Sequence, residues 1–308
     1  MSPVKIVIGS RGSRLALLQA QSVAAKLKGA CPEKESEIKK IVTGGDRNRR
    51  VQLDRMDTIG VFVKELEDAL LDGRIDLAVH SLKDMPTIMP EGLCLAAVTE
   101  RVDPRDVLVT RGETLEKLPP GSRIGTGSLR RSIQLSRYRH DLEIQGLRGN
   151  VDTRIRKVRE GELDGVILAA AALLRLGWRE RITQYLPVED FLPAVGQGAI
   201  AVEIRRNDDD LQELISGIND IPAWQCTAAE RSFLSTLGGG CRAPIAALAT
   251  VSGDRLSITG LAASADGEKV LRGSGEGAAS SGERVGQDLA ERLLALGASE
   301  FIEGARES

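Results

Sequence analysis

At 308 residues the chain exceeds what one ordinary core holds, so a globular fold of two or three domains is expected. Hydrophobic residues at 42% and charged residues at 28% exclude a disordered, fibrous or disulfide-stapled chain. No apolar run approaches the ~20 residues that span a bilayer, and the net charge of −2 hides a basic middle: Arg101 to Glu160 holds 14 basic and eight acidic residues, net +6.

Such a segment calls for an anionic partner. Two Trp, two Tyr and four Phe offer no stacking platform for nucleic acid, which leaves a small polycarboxylate or phosphate ligand. Cys31, Cys94, Cys226 and Cys241 form no C-x-x-C pair, and two histidines, His80 and His140, are too few for a His-rich metal site or a His-based triad. No metal is expected, and catalysis falls to carboxylate, Arg or Lys. The opening run, Met1-Ser-Pro-Val-Lys-Ile-Val-Ile, lacks the features of a secretory signal, so a cytoplasmic protein is expected.

In chain order, Lys5 to Gly9 reads as a buried strand and Ser13 to Leu27 as an amphipathic helix capped by Ser13. Phe62 to Leu71 reads as a helix closed by Asp72 and Gly73, before the strand Ile75 to His80 and the loop Ser81 to Pro86. Alternating strands and helices predict an open, largely parallel sheet. Ile124-Gly-Thr-Gly-Ser-Leu-Arg-Arg131 then echoes Ile8-Gly-Ser-Arg-Gly-Ser-Arg14, and Gly161-Glu-Leu-Asp164 echoes Gly73-Arg-Ile-Asp76, which predicts two similar α/β lobes. Glu100 to Pro104 and Leu192 to Gly198 break the periodicity and read as two crossings between the lobes, hence a hinge. A third unit follows Asn219-Asp-Ile-Pro222: a helix from Ala223 to Leu237, alternating strand-like runs from Ile245 to Leu271, and a closing helix near Glu283 to Leu296.

The turns at Arg11 to Ser13 and Thr126 to Ser128 each open a helix whose free N–H groups attract anions, and two such turns facing a cleft would make a binding site. Ser13 and Ser128 equally suit plain helix caps. Neighbouring Arg11, Arg130 and Arg131 favour a ligand, as do Arg148 in Gly146-Leu-Arg-Gly149 and Arg154, because guanidinium is permanently charged and bidentate. Arg137, Arg139, Arg156 and Arg159 are expected only to solvate helix faces. Lys83 and Asp84 stand just beyond a strand, where ligands of open α/β sheets dock. Cys31, Cys94 and Cys226 read as small core residues, whereas Cys241, after Gly238-Gly-Gly240, could meet something bulky.

Together these pieces resemble the porphobilinogen deaminase (hydroxymethylbilane synthase) family from about Ile6 to Ala247. The resemblance rests on Phe62-Val-Lys-Glu-Leu-Glu67, Ala78-Val-His-Ser-Leu-Lys-Asp-Met-Pro86, Asp103-Pro-Arg-Asp106, Gly125-Thr-Gly-Ser-Leu-Arg-Arg131, Leu147-Arg-Gly-Asn-Val151, Ala194-Val-Gly-Gln-Gly198 and Gly239-Gly-Cys241. It implies an α/β protein of three domains, the first two resembling the lobes of type II periplasmic binding proteins and the third a small α+β domain carrying the cofactor loop. The boundaries so implied are 1–99 with 200–217, 105–193, and 222–308. It also implies an enzyme that joins four porphobilinogen molecules head to tail, releasing ammonia and finally hydroxymethylbilane, on a dipyrromethane primer held by a thioether to Cys241.

By the same resemblance Asp84 is the catalytic carboxylate, assisting deamination and stabilising developing positive charge. Lys83, Arg11, Ser13, Ser128, Arg130, Arg131, Arg148, Arg154 and Arg175 bind acetate and propionate groups, with Thr126 and Gln197 as weaker polar candidates. Relatives usually have a glycine- and lysine-rich lid where this chain reads Arg55-Met-Asp-Thr-Ile-Gly60, so no lid lysine carries over and Arg55 offers one positive charge. A monomer without nucleic-acid or membrane partner is expected. The alternative from another class is a non-catalytic two-lobed anion-binding module, which would not need a thiol in a Gly-Gly-Gly-Cys loop.

Overall fold

The computed structural model describes residues 5–41, 58–239 and 243–302. In chain order its elements begin with β1 Ile6–Ser10, α1 Arg14–Ala30, β2 Ser36–Lys40, α2 Thr58–Leu71, β3 Leu77–Ser81, a 3₁₀ turn Leu82–Asp84 and β4 Leu93–Val98. There follow β5 Asp106–Thr110, β6 Arg123–Thr126, α3 Leu129–Tyr138, β7 Glu143–Gly146, α4 Val151–Arg159, β8 Gly165–Ala169, α5 Ala170–Arg175 and β9 Gln184–Tyr185. The last group is β10 Ile200–Arg205, α6 Asp209–Ser216, α7 Ile221–Thr236, β11 Ile245–Ser252, β12 Arg255–Ala263, β13 Val270–Ala278, α8 Gly282–Ala295 and α9 Ser299–Ile302.

The chain divides into two compact units, Met1–Arg101 with Ala199–Trp224, and Val102–Gly198 with Gln225–Ser308. The first holds the sheet β2-β1-β3-β10-β4, and the second holds β7-β6-β8-β5-β9 and the small sheet β11-β12-β13. In each five-stranded sheet three parallel strands meet one antiparallel neighbour, β10 beside β3 and β5 beside β8. The expected pair of similar α/β lobes is therefore present in strand order and direction.

The sequence echo has a physical counterpart at matching atoms. Asp76 accepts from the Val7 backbone N–H (2.8 Å) and Asp164 from that of Arg123 (2.9 Å), each capping the first parallel strand of its sheet. A guanidinium closes both corners: Arg205 donates to the carbonyls of Leu70 and Ile75, Arg111 to those of Val158 and Leu163. Both helices preceding these corners end at a glycine with positive φ, Gly73 (69°) and Gly161 (80°), a conformation that disfavours any side chain.

Three stretches differ from the sequence reading. Helix α2 begins at Thr58 rather than Phe62. Strand β13 runs on to Ala278, although only Val270 and Leu271 look strand-like, because Gly273, Gly275 and Gly277 form its inward row. Leu289, Leu293 and Val285 of α8 lie directly over those glycines, so the missing side chains make room for the helix. Arg139 does not simply solvate a helix face: it ends α3 and donates to Asp141 and to the carbonyls of Leu115 and Leu118. Arg137, Arg156 and Arg159 are exposed as expected, Cys226 is buried, and Cys31 and Cys94 are half-buried.

The small sheet packs within its unit through Ile133 and Leu192 against Ala246, Leu261 and Ala263. A charged cluster lies beside Leu192. Asp106, fully buried at the start of β5, accepts from Arg130 (2.7 Å) and twice from Arg131 (3.0 and 2.7 Å). Gln197 donates to the same carboxylate (2.8 Å) and to the Pro104 carbonyl (2.7 Å), which joins the two crossing segments. Burial alone would raise the Asp106 pKa, but the two guanidinium charges and their hydrogen bonds outweigh it and hold it well below the usual carboxylate range.

Four substitutions test this packing. Asp106→Ala strands two buried guanidinium groups and should cost ~3–5 kcal/mol in urea unfolding. Because the folded-state pKa is depressed, Asp106 contributes stability above the ordinary aspartate value of ~3.9 that is lost as pH falls below it; Asp106→Asn should flatten that acid limb. A Cβ at Gly286 would sit 2.0 Å from the Ala229 carbonyl oxygen, so Gly286→Ala should lower stability by ~1–3 kcal/mol or more. Gly29→Ala in α1 meets nothing within 4 Å and should be neutral or gain up to ~1 kcal/mol.

Candidate active site

The parallel strands of each five-stranded sheet end at one edge, and the candidate residues gather there. In the first unit β1 and β3 are adjacent and parallel. Arg11 and Ser13 follow the end of β1, and Lys83 and Asp84 form the 3₁₀ turn after β3. Ser13 does cap α1, its hydroxyl accepting from the Ala16 N–H (3.3 Å). Arg11, Ser13, Lys83 and Asp84 are all half-buried, which suits side chains that meet a ligand while partly shielded from water.

The 82–84 turn is fixed from beneath rather than left to move. Leu82 and Met85 are buried, and the Leu82 N–H donates to the Ala199 carbonyl (3.1 Å), continuing the β3–β10 ladder by one bond. Ser81 is tied to α1 through the Gln19 side-chain amide, which donates to its hydroxyl at 2.8 Å. The backbone that carries Lys83 and Asp84 is thus anchored on both sides.

In the second unit β6, β7 and β8 are parallel; Thr126 ends β6, Ser128 and Arg148 follow β6 and β7, and Arg175 ends α5, which follows β8. Thr126 is buried and its hydroxyl accepts from the Ser128 N–H (3.2 Å). Ser128 stands at the N-cap of α3 but makes no side-chain cap bond, unlike Ser13, so its hydroxyl is available at a positive helix end. Arg148 is exposed, whereas Arg154 is half-buried and donates to the Gly149 carbonyl (2.8 Å).

Arg175 is set apart by its surroundings. It donates to the Gly198 carbonyl (2.6 Å), forms no ion pair among the described residues, and burial pushes its guanidinium down to about 10. Burial also lowers Arg154, with the nearby Arg131 charge adding to the effect. Arg130 and Arg131 are only 5% exposed and already face Asp106; Arg131 commits all three of its nitrogens. Gln197 is wholly buried in the same cluster.

Cys241 lies outside the described residues, as does Arg55. The described flank of Cys241 is close-packed: a Cβ at Gly239 would meet the Ile245 side chain at 2.3 Å. The sequence reading missed Asp106 as the counter-charge of Arg130 and Arg131, although an Asp opening the apolar run Val107-Leu-Val109 inside a basic segment signals it. It also missed Glu67 and Glu203, whose signal is a carboxylate within an apolar pattern.

Comparison with known proteins bears on this arrangement directly. Residues 6–213 match the family described as "Porphobilinogen deaminase, dipyromethane cofactor binding domain", and residues 224–295 match "Porphobilinogen deaminase, C-terminal domain". The porphobilinogen deaminase of Syntrophus aciditrophicus is 49% identical over 297 residues, covering 96% of this chain and 97% of that protein. That of Brevibacillus brevis is 48% identical over 297 residues, covering 96% of each. Among solved structures, a TRAP periplasmic solute-binding protein from Desulfovibrio salexigens is 9% identical with a TM-score of 0.42, covering 71% of this chain and 73% of its own. Two matched family domains and near-half identity over nearly the whole length establish that the chain belongs to the porphobilinogen deaminase family, transferases of tetrapyrrole synthesis with a dipyrromethane cofactor.

Proposed function

We propose that Asp84 is the catalytic carboxylate of porphobilinogen polymerisation in this chain and that Cys241 carries the dipyrromethane primer. Lys83, Arg11 and Ser13 bind substrate and cofactor carboxylates from the first unit, and Thr126, Ser128, Arg130, Arg131, Arg148, Arg154, Arg175 and Gln197 do so from the second. The observation that carries the reading is Arg175, a half-buried guanidinium at the end of α5, just beyond β8, that forms no ion pair among the described residues. Burying a cation alone is costly, so an anion is the complement its surroundings lack.

The same test bears on the cofactor. A dipyrromethane presents several carboxylates, and the half-buried Arg175 and Arg154 with the Ser128 hydroxyl are donors suited to carboxylate oxygens. When bound, the group supplies the pyrrole carbon to which the first substrate is joined. Each addition breaks the aminomethyl C–N bond of a porphobilinogen, forms one C–C bond and releases ammonia, while the proton displaced from the pyrrole carbon leaves. Positive charge develops on the substrate as that C–N bond breaks. Asp84 faces it as a fixed anion and holds or returns the proton, and the guanidinium groups neutralise acetate and propionate without joining the bond changes. Arg130 and Arg131, oriented by Asp106, contribute a fixed positive field and their remaining N–H groups.

The partition into 1–99 with 200–217, 105–193 and 222–308 belongs to the same proposal and draws support from the three separate sheets. So does a cytoplasmic monomer acting on a small molecule without nucleic acid; among the described residues no helix is long and apolar enough to cross a membrane. Family membership disfavours the non-catalytic binding module.

Denatured intact mass with peptide mapping tests attachment: two pyrrole units on the Cys241 peptide are expected, with further increments after porphobilinogen, and Cys241→Ser should carry none. Asp84→Ala should retain the cofactor mass and lose bilane formation by at least ~10³-fold, the scale of removing one preorganised charge or donor; near-normal product would remove Asp84 from its role. Arg175→Gln should load the cofactor poorly, read as a reduced holo fraction in the same mass spectra.

A further inference from the structure

Beneath the Asp84 turn lies a cluster of titratable groups that the reaction does not use. His80, the fourth residue of β3, donates from Nε2 to Oε2 of Glu203 on β10 at 2.9 Å, with side chains 4% and 0% exposed. In the antiparallel register Ala201 faces His80 and Ala78 faces Glu203, so the two side chains form a diagonal pair on one side of the sheet. Ala78 packs on that side with Leu66, Ala69 and Leu70 of α2, and α2 brings Glu67, itself buried, to the same place. Two carboxyl oxygens remain buried without a hydrogen-bond partner among the described residues of this cluster, Oε1 of Glu67 and Oε1 of Glu203.

Two carboxylates against one imidazole would leave at least one uncompensated negative charge in an apolar layer, a costly arrangement. A single proton on Glu67 removes that excess and supplies the O–H donor that two orphan acceptors lack. Burial first, and then the Glu203 charge, push Glu67 up to about 7, with His80 partly opposing. The other charged or titratable groups around the cluster are Lys64 and Asp68 on α2, Cys94 on β4, and Arg205 at the end of β10.

We propose that Glu67, His80 and Glu203 form a one-proton clamp between α2, β3 and β10 that fixes the Lys83–Asp84 turn, so that all three are positioning residues for Asp84. The proposal rests on the reading of Asp84 as the catalytic carboxylate. The clamp joins β3 and β10 one residue before their last paired position, Ser81 with Ile200, and Asp84 follows three residues after that pair. Ionisation of Glu67 sets two carboxylates against each other and loosens α2 and the strand end together.

The sign of the pH effect is fixed. A carboxyl whose pKa is higher in the folded chain contributes stability below its unfolded value, and that contribution is lost as pH rises to the folded value, here from about 4.5 to about 7. Glu67→Gln keeps a donor and cannot ionise. In the holoenzyme, the wild-type unfolding midpoint should therefore fall relative to E67Q as pH rises through that window and run parallel above it. The wild-type kcat should decline above about 7 where that of E67Q stays flat. Glu203→Gln removes the charge that helps keep Glu67 protonated; it should shrink the pH-dependent difference and lower kcat ~10-fold or more, at unchanged KM and unchanged cofactor mass.

A wild-type-minus-E67Q difference that does not vary with pH overturns the clamp, and E203Q with kcat within about twofold of wild type overturns its positioning role. Asp84→Ala, assayed alongside, separates the two readings. Turnover surviving in D84A defeats the catalytic assignment, whereas the unfolding comparison of E67Q tests the clamp without reference to activity.

Discussion

One buried carboxylate organises the second unit. Asp106 receives Arg130, Arg131 and Gln197 in a site closed to water, and Gln197 passes the constraint on to Pro104 while Arg130 also holds the Leu192 carbonyl (2.7 Å). The two segments in which the chain crosses between units therefore meet at a single charged point inside the second unit. Apolar packing of similar volume would hold the fold about as well. What the charges add is orientation: a guanidinium with three committed nitrogens cannot swing, so the strand-edge side of α3 keeps a fixed positive field.

The paired five-stranded sheets show how one design yields two different edges. Corner aspartates, corner arginines and helix-ending glycines recur at equivalent places, so the scaffolds are alike where they carry load. They differ just past the third parallel strand. After β3 the chain makes the tight turn bearing Lys83 and Asp84; after β8 it continues directly into α5 and ends that helix on Arg175. The first turn thus carries an adjacent cation and carboxylate, Lys83 and Asp84, and the second strand leads to the half-buried Arg175.

Much of this was legible in the residues. Alternating periodicity, the repeated Gly/Ser turns and the Gly-x-x-Asp corners were sufficient for two similar α/β lobes, because backbone needs dictate those residues locally. β13 was not legible beyond Leu271, since glycine carries no strand signal and its presence there answers to α8, a partner remote in sequence. The arginines were legible as a basic segment but not by role. Nothing local distinguishes Arg131, buried on Asp106, from Arg148, which is exposed, because the difference lies in which acid folds against each. Glu67 and Glu203 stand 136 positions apart in the chain, and each alone reads as an ordinary helix or strand residue.

Arg130 and Arg131, buried on Asp106, contrast with the half-buried Arg175. Around Asp106 the desolvation of charge is offset internally, so those guanidinium groups need nothing further to be stable. Around Arg175 no ion pair does so among the described residues: its hydrogen bond is to a backbone carbonyl, and burial lowers its pKa. On the proposed role of Arg175, a ligand carboxylate entering there meets a charge already partly desolvated, so part of the cost of arranging the site is met on folding rather than on binding. The same linkage stabilises the folded second unit by whatever free energy the bound anion contributes.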